Sequence, residues 1–275
     1  MKLFTSANVI AALILLGAIG YTASQMLDPS AKQQVSVASP GNVPTSEALP
    51  DFTTYTDVKA KKAAFFGYML PLINARNLHI QRQRQQLLAI AEKPQESLSV
   101  EDTKTLQDLA TAYRLNDADM PSQEKIDELL VRIDSVPPSL ALAQGAVESA
   151  WGTSRFAVQA NNLFGQWCYE KGCGLVPKQR NAGANHEVAK FSNVSDAVHS
   201  YTRNINTHRA YKDLRMSRAE LRANDAIITG HILADGLLRY SERGADYVHE
   251  LQAVIRINKL APYDEPKADT AQGSI

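Results

Sequence analysis

Cysteine and net charge are what this sequence has least of. Its 275 residues include two cysteines and six histidines, and 29 Lys plus Arg balance 29 Asp plus Glu. A chain without net charge presents no basic field for nucleic acid and no acidic field for a cationic partner. Two cysteines cannot build a structural zinc site alone, and Cys168 and Cys173, with four residues between them, lack the CxxC redox spacing. His186, His199, His208, His231 and His249 fall into no metal-ligand pattern, so neither a metal nor a cofactor is expected. No internal repeat is evident. An apolar fraction of 44% over this length suffices for one good-sized core plus an accessory segment.

Long uncharged apolar runs are also scarce, and one stands at the N-terminus. Residues 7–23, about 17 residues after Lys2, carry no charge. That is long for the apolar part of an export signal and short for a comfortable membrane span. Residues 1–27 therefore read as a signal peptide or an uncleaved inner-membrane anchor. Tyr21-Thr22-Ala23 matches a small-x-small cleavage site poorly, which favours the anchor. A buried helix of a cytoplasmic fold is disfavoured, because nothing amphipathic appears in the run. Residues 28–56, rich in Ser, Pro, Val and Gln down to about residue 51, read as a disordered linker between membrane and domain.

Residues 57–135 read as a helical extension. Apolar residues recur in a broken 3.6-residue pattern over 57–93, where Pro71 predicts a kink, and two further helices are expected near 100–115 and 122–133. Gln81-Arg82-Gln83-Arg84 reads as a solvated helix face, with contact to an anionic polymer as the alternative.

The stretch 137–167, PPSLALAQGAVESAWGTSRFAVQANNLFGQW, carries the chemistry. Two prolines and a serine start a helix, and Leu140, Ala143, Val147, Ala150 and Trp151 recur at three- and four-residue intervals along its core face. Glu148 lies at the edge of that face, stacked over Gln144 and under Trp151 and Gly152. A carboxyl there loses hydration, which raises its pKa as a general acid near neutral pH requires. The competing reading is a helix-shoulder glutamate that reaches water or an arginine. Gly152 is expected to end the helix, Ser154 to cap a short second one, and Asn161, Asn162 and Gly165 to turn the chain around Phe164 and Trp167. Aromatic faces stack on pyranose rings and amides hydrogen-bond hydroxyl and acetamido groups, so a carboxylate in this setting fits a sugar site.

The run from Glu148 to Ser154, ESAWGTS, followed by ANNLFG from Ala160 to Gly165, resembles the signature of bacterial peptidoglycan β-N-acetylglucosaminidases, family 73 of the glycoside hydrolases. CGLVPKQR (Cys173 to Arg180) and NINTHRAY (Asn204 to Tyr211) are similar to the Bax-like group of that family. The resemblance covers residues 137–260 and implies a mainly α, lysozyme-like α+β domain with a small β-lobe, placed at 136–260. It implies hydrolysis of the β-1,4 bond on the reducing side of N-acetylglucosamine in periplasmic peptidoglycan glycan strands, with Glu148 as acid. Gln144, Trp151, Asn161 and Asn162 are then expected at the sugar, together with Phe164, Gln166, Trp167 and Tyr247.

A second acidic residue is implied in the β-lobe. Glu187, at the entry to a short strand over 188–191, is the candidate, with an exposed structural glutamate as the alternative. Tyr240, in LRYSE where the family has Tyr-Ala-Thr-Asp, is expected to orient an acetamido group or water; the alternative is a half-buried core tyrosine. His208 either lines the cleft or lies on the surface. In an exported protein Cys168 and Cys173 are expected to form a disulfide around the turn that they bracket, rather than remain two free thiols. Residues 193–196 should begin another helix and 245–260 a closing amphipathic one, ahead of a loose tail at 261–275. A lytic transglycosylase or muramidase, a non-catalytic wall-binding or scaffold protein, and an interaction protein run by the helical extension are the alternatives.

Overall fold

In the computed structural model, which describes residues 48–265 apart from 116, 118, 179, 181, 182 and 184, helix α1 (Val58–Ala91) ties the molecule together. Asp57 caps it by accepting the Ala60 N–H at 2.7 Å, and Pro71 does not interrupt it. At 34 residues it is roughly 50 Å long, enough to serve two hydrophobic clusters. Phe65, Phe66, Met69, Leu72 and Ile73 enter the main core, whereas Ile80, Leu87 and Ile90 pack with α2 (Val100–Ala112) and α3 (Ser122–Arg132). Helix α2 begins with a reciprocal capping box between Ser99 and Asp102.

Where α1 passes from one cluster to the other, Asn77 grips the chain that leads into the central helix. Its amide donates to the Val136 carbonyl at 2.8 Å and accepts the Val136 N–H at 3.1 Å. Beside it the buried Asp134 takes a bidentate pair from Arg222, at 2.6 and 2.7 Å, and also faces Arg84 and Arg218. Helix α4 (Pro138–Glu148) follows, with Ser139 to Ala146 all buried. A helix buried all round is a core helix and must be covered on every side; α1, α8 (Gly230–Leu233) and α9 (Ala245–Ile257) supply much of that cover.

After α5 (Arg155–Ala160), capped by Ser154, comes a small antiparallel sheet in the order β1-β3-β2. Strand β1 (Trp167–Cys168) pairs with β3 (Glu187–Ala189) through Trp167↔Val188 and Cys168↔Glu187, and β2 (Gly174–Leu175) pairs on the other side through Leu175↔Val188. Asn193 then caps α6 (Val194–Thr207), and a 3-10 turn, Arg209–Tyr211, leads into α7 (Lys212–Ala223). The mainly α, lysozyme-like fold with a small β-lobe is thus present.

Two expected boundaries move. The linker placed at 28–56 ends sooner, because Asp51 caps a 3-10 turn (Phe52–Thr54) that puts Phe52, 1% exposed, in the main core. The tail expected from 261 is held through residue 264: Ala261–Asp264 is a 3-10 turn, and Asp264 accepts the Ser139 N–H and hydroxyl and the Gly230 N–H. Asp264 does for α4 what a capping side chain would, because Pro137 has none to offer. The apolar run at 7–23 and the polar stretch up to residue 47 lie outside the described residues. Among the described residues no helix is long and apolar enough to cross a membrane.

Candidate active site

Helix α4 ends on Glu148, earlier than the apolar periodicity through Ala150 and Trp151 predicts. Ala150, Trp151 and Gly152 all take positive φ, at 51°, 60° and 78°. A left-handed turn costs non-glycine residues about 1–2 kcal/mol each, so packing must hold it. The Trp151 ring meets Phe65 and Phe66 edge-on at 5.8 and 5.4 Å, and a side chain on Gly152 would overlap the Phe52 ring. Ser149, fully buried, donates to the Gly145 carbonyl and accepts the Gly152 N–H at 2.7 Å. Trp151, expected at the sugar and half-buried here, braces the turn that terminates α4 with its ring.

Glu148 is half-buried at this terminus. Burial pushes its pKa up and the charge of Glu250 adds to the rise, while a hydrogen bond from Tyr247 and the charge of Arg243 pull it back. The C-terminal end of α4 also opposes a carboxylate. Two hydrogen bonds run toward the group: the Tyr201 hydroxyl donates to Gln144 Oε1 at 2.6 Å and Gln144 Nε2 donates to the Tyr247 hydroxyl at 3.2 Å, which leaves the Tyr247 O–H to favour the Glu148 carboxylate. Tyr201, Gln144 and Tyr247 are buried, and burial together with the Glu148 charge holds Tyr247 as a neutral donor. Gln144 and Tyr247, expected at the sugar, instead position the carboxyl.

The turn between α5 and β1 closes over the same carboxyl. Gly165 has φ +65°, and a Cβ there would lie 3.1 Å from Glu148 Oε2, so the backbone approaches the acid as only glycine permits. Asn162, 1% exposed, builds this turn by donating to the Gln166 and Ala189 carbonyls and accepting the Phe164 and Gln166 N–H groups. Asn161 adopts the left-handed conformation that ends α5 and donates to the Phe191 carbonyl at 3.0 Å. Phe164, 1% exposed, stacks on Tyr201 at 4.1 Å. Asn162 and Phe164 serve the framework, one with its polar atoms paired and the other with its ring covered, and Asn161 joins them through its Nδ2. Gln166 is half-buried, with both amide atoms enclosed and unpartnered.

Tyr240, expected to orient an acetamido group or water, lies beside Tyr247. Its hydroxyl donates to the Phe164 carbonyl at 2.7 Å, and its ring lies parallel to Tyr247 at 5.5 Å. Trp167, 56% exposed, stacks on His186 at 4.2 Å and leaves an aromatic face on the β-lobe. The Cys168–Cys173 disulfide is formed, with the Cα atoms 6.2 Å apart. Glu187 is corrected: one oxygen accepts the Gly172 N–H at 3.0 Å and the other the Gly174 N–H at 2.8 Å, which holds its pKa down. It fastens the disulfide loop to β3. Cys168, Cys173 and Glu187 cluster closely enough to suit a metal, but the two sulfurs are bonded to each other and the carboxylate to amides.

Tyr201 escaped the sequence reading, since it stands 57 positions from its partner Gln144 and no local spacing marks it. The same holds for Arg243 and Glu250, which pair at 2.6 Å and whose charges act on Glu148.

A carboxyl whose pKa burial raises, at the end of a core helix beside a glycine turn and a small β-lobe, is the arrangement of a lysozyme-like glycoside hydrolase. Residues 126–260 match the glucosaminidase family profile, described as mannosyl-glycoprotein endo-beta-N-acetylglucosaminidase. The chain is 33% identical over 230 residues to protein bax of Escherichia coli (strain K12), covering 84% of this chain and 80% of that one. It is 28% identical over 166 residues to exo-glucosaminidase LytG of Bacillus subtilis (strain 168), covering 52% of this chain and 56% of that one. No solved structure matches. The chain belongs to the glucosaminidase family and, within it, to the Bax-like proteins.

Proposed function

We propose that the protein is a peptidoglycan hydrolase that cleaves the β-1,4 bond on the reducing side of N-acetylglucosamine, with Glu148 as general acid. One observation carries the reading: Glu148 is half-buried, holds its proton above the ordinary carboxyl range, and is aimed by the Tyr201–Gln144–Tyr247 chain. The family match and the likeness to an exo-glucosaminidase support the sugar, and the resemblance of the Glu148–Gly165 motifs to wall hydrolases supports its polymer.

In this reading Glu148 protonates the leaving oxygen while positive charge develops at the anomeric carbon. Burial favours the acid before transfer. The hydrogen bond from Tyr247 favours the anion after it, so one site accommodates both states. The substrate's own 2-acetamido oxygen receives the charge, because Glu187 has both oxygens committed to the disulfide loop. Residues 7–23 would hold the enzyme at the periplasmic face of the inner membrane, with the polar stretch behind them as tether.

Glu148→Gln keeps the shape and removes the proton, so it is expected to bind purified sacculi and lose nearly all turnover; substantial residual activity sinks the assignment. The bond cut is read from the products. Borohydride reduction after digestion should convert terminal N-acetylglucosamine to its alditol. Reduced muramic acid would make the protein a muramidase, anhydro-muropeptides a transglycosylase, and binding without any products a wall-binding protein.

A further inference from the structure

We infer that a basic pocket beside the NINTHRAY segment is an anion subsite for a carboxylate on the peptide that hangs from the glycan. The inference rests on the hydrolase reading above. The pocket, about 210 Å³, is lined by Glu128, Arg132, Arg209, Lys212 and Arg215 among others. That is below the usual size of a small-molecule site and fits one small charged group. Arg132 bonds Glu128 at 2.7 Å, so the surplus charge lies on Arg209, Lys212 and Arg215.

Arg215 is the decisive residue. It is 4% exposed, and its Nη1 donates to the Ile205 and His208 carbonyls, both at 2.9 Å. Among the described residues no carboxylate lies within ion-pair distance of it, and no hydrogen bond leaves its Nε or Nη2. Its Nε and Nη2 are left for a group in the pocket, where the charge of Glu128 also acts on it, and a bidentate carboxylate is the partner its geometry suits. Arg209 and Lys212 are exposed at the rim, where they can guide such a group inward.

The pocket also adjoins the catalytic neighbourhood. The 3-10 turn Arg209–Tyr211 supplies Arg209 to the pocket and Tyr211 to the aromatic row below Glu148: His208 meets Tyr211 at 5.6 Å, and Tyr211 meets Tyr240 at 5.6 Å. In this proposal a strand with its sugar at Glu148 presents its peptide carboxylate to Arg215 by way of that turn.

The test is calorimetry on the full chain with N-acetylmuramyl-alanyl-isoglutamine, whose terminal carboxylate is free, against its methyl ester, with inorganic phosphate as a third probe. The acid is expected to bind about tenfold more tightly than the ester, and the rim double variant Arg209→Ala/Lys212→Ala, which alters exposed side chains only, is expected to diminish that preference. In turnover, the double variant should raise KM about tenfold on peptide-bearing strands, with kcat unchanged and peptide-stripped strands unaffected. Equal binding of acid and ester, or a preference undiminished in the double variant, overturns the inference; so does phosphate bound through these residues without any acid preference. Acid preference in a protein that leaves sacculi intact would remove the hydrolase reading and leave the anion site standing.

Discussion

Tyr247→Phe separates the two jobs that the structure gives one hydroxyl. Tyr247 accepts from Gln144 Nε2 at 3.2 Å and donates to Glu148, and it is 2% exposed. Phenylalanine keeps the ring packed on Tyr240 but strands a buried Gln144 donor, which costs about 1–3 kcal/mol of stability. The effect on the acid follows from the sign of the lost interaction. The Tyr247 bond favours the carboxylate and lowers the pKa of Glu148, so without it the pKa rises further. A hydrogen bond to a charged group contributes about 1.5–3 kcal/mol, and 1.36 kcal/mol is one pKa unit; the shift is therefore about one unit or more, upward. In a profile of kcat/KM against pH the alkaline limb reports the free enzyme's essential acid. That limb is expected to move to higher pH in Tyr247→Phe, while the plateau falls about tenfold because the carboxyl is no longer aimed. An alkaline limb that stays in place or moves down would refute both the donor assignment and Glu148 as the acid.

The other predictions test the frame around the acid. Glu148→Gln should be more stable than the native protein at neutral pH: the folded pKa lies above the unfolded value, so the fold loses stability as pH rises between them, and the amide escapes that loss. Thermal melts should converge below the unfolded carboxyl pKa, and a less stable variant at neutral pH contradicts the burial argument. Gly165→Ala sets a strained φ and a methyl 3.1 Å from Glu148 Oε2; kcat should fall tenfold or more, roughly, for a stability loss of about 1–2 kcal/mol. Glu187→Gln should retain most of its turnover and lower the melting temperature, since the side chain anchors a loop; loss of turnover in a stably folded variant would restore it as a catalytic group. Phe52→Ala should cost about 3–5 kcal/mol in denaturant melts, because a ring 1% exposed leaves a cavity behind the Glu148 turn.

Element types were readable because each has a local cause. Asp57, Ser99, Ser154 and Asn193 all accept the N–H groups that their positions anticipate, and capping needs no distant partner. The end of α4 was not readable to the residue. Three left-handed residues, two of them non-glycine, stop it before its apolar pattern runs out, and Phe52, Phe65 and Phe66, far off in sequence, stabilise that turn. The closeness of Glu148 and the glycine turn was legible for the same reason: both lie on one continuous stretch. Residue type misled where it has two uses. Asn161, Asn162 and Phe164 have the composition of a sugar site, yet fold the loop. An amide satisfies a carbonyl as well as it satisfies a hydroxyl, and only the contacts distinguish the two.

The family profile begins at residue 126, within α3, but the core that holds Glu148 does not. Helix α4 is buried along its length, and Met69 of α1 and Phe164 both lie against its Gly145. A domain cut at the profile boundary would leave that face of α4 without cover. The likeness to the Escherichia coli protein runs over 230 residues of a 275-residue chain, so it reaches into the helices upstream of 126. Those helices are therefore part of what this chain shares with the Escherichia coli protein. Their contribution to the proposed site is mechanical: Phe65 and Phe66 hold the Trp151 ring, the ring holds a left-handed turn, and the turn follows directly on the half-buried Glu148, whose pKa burial raises.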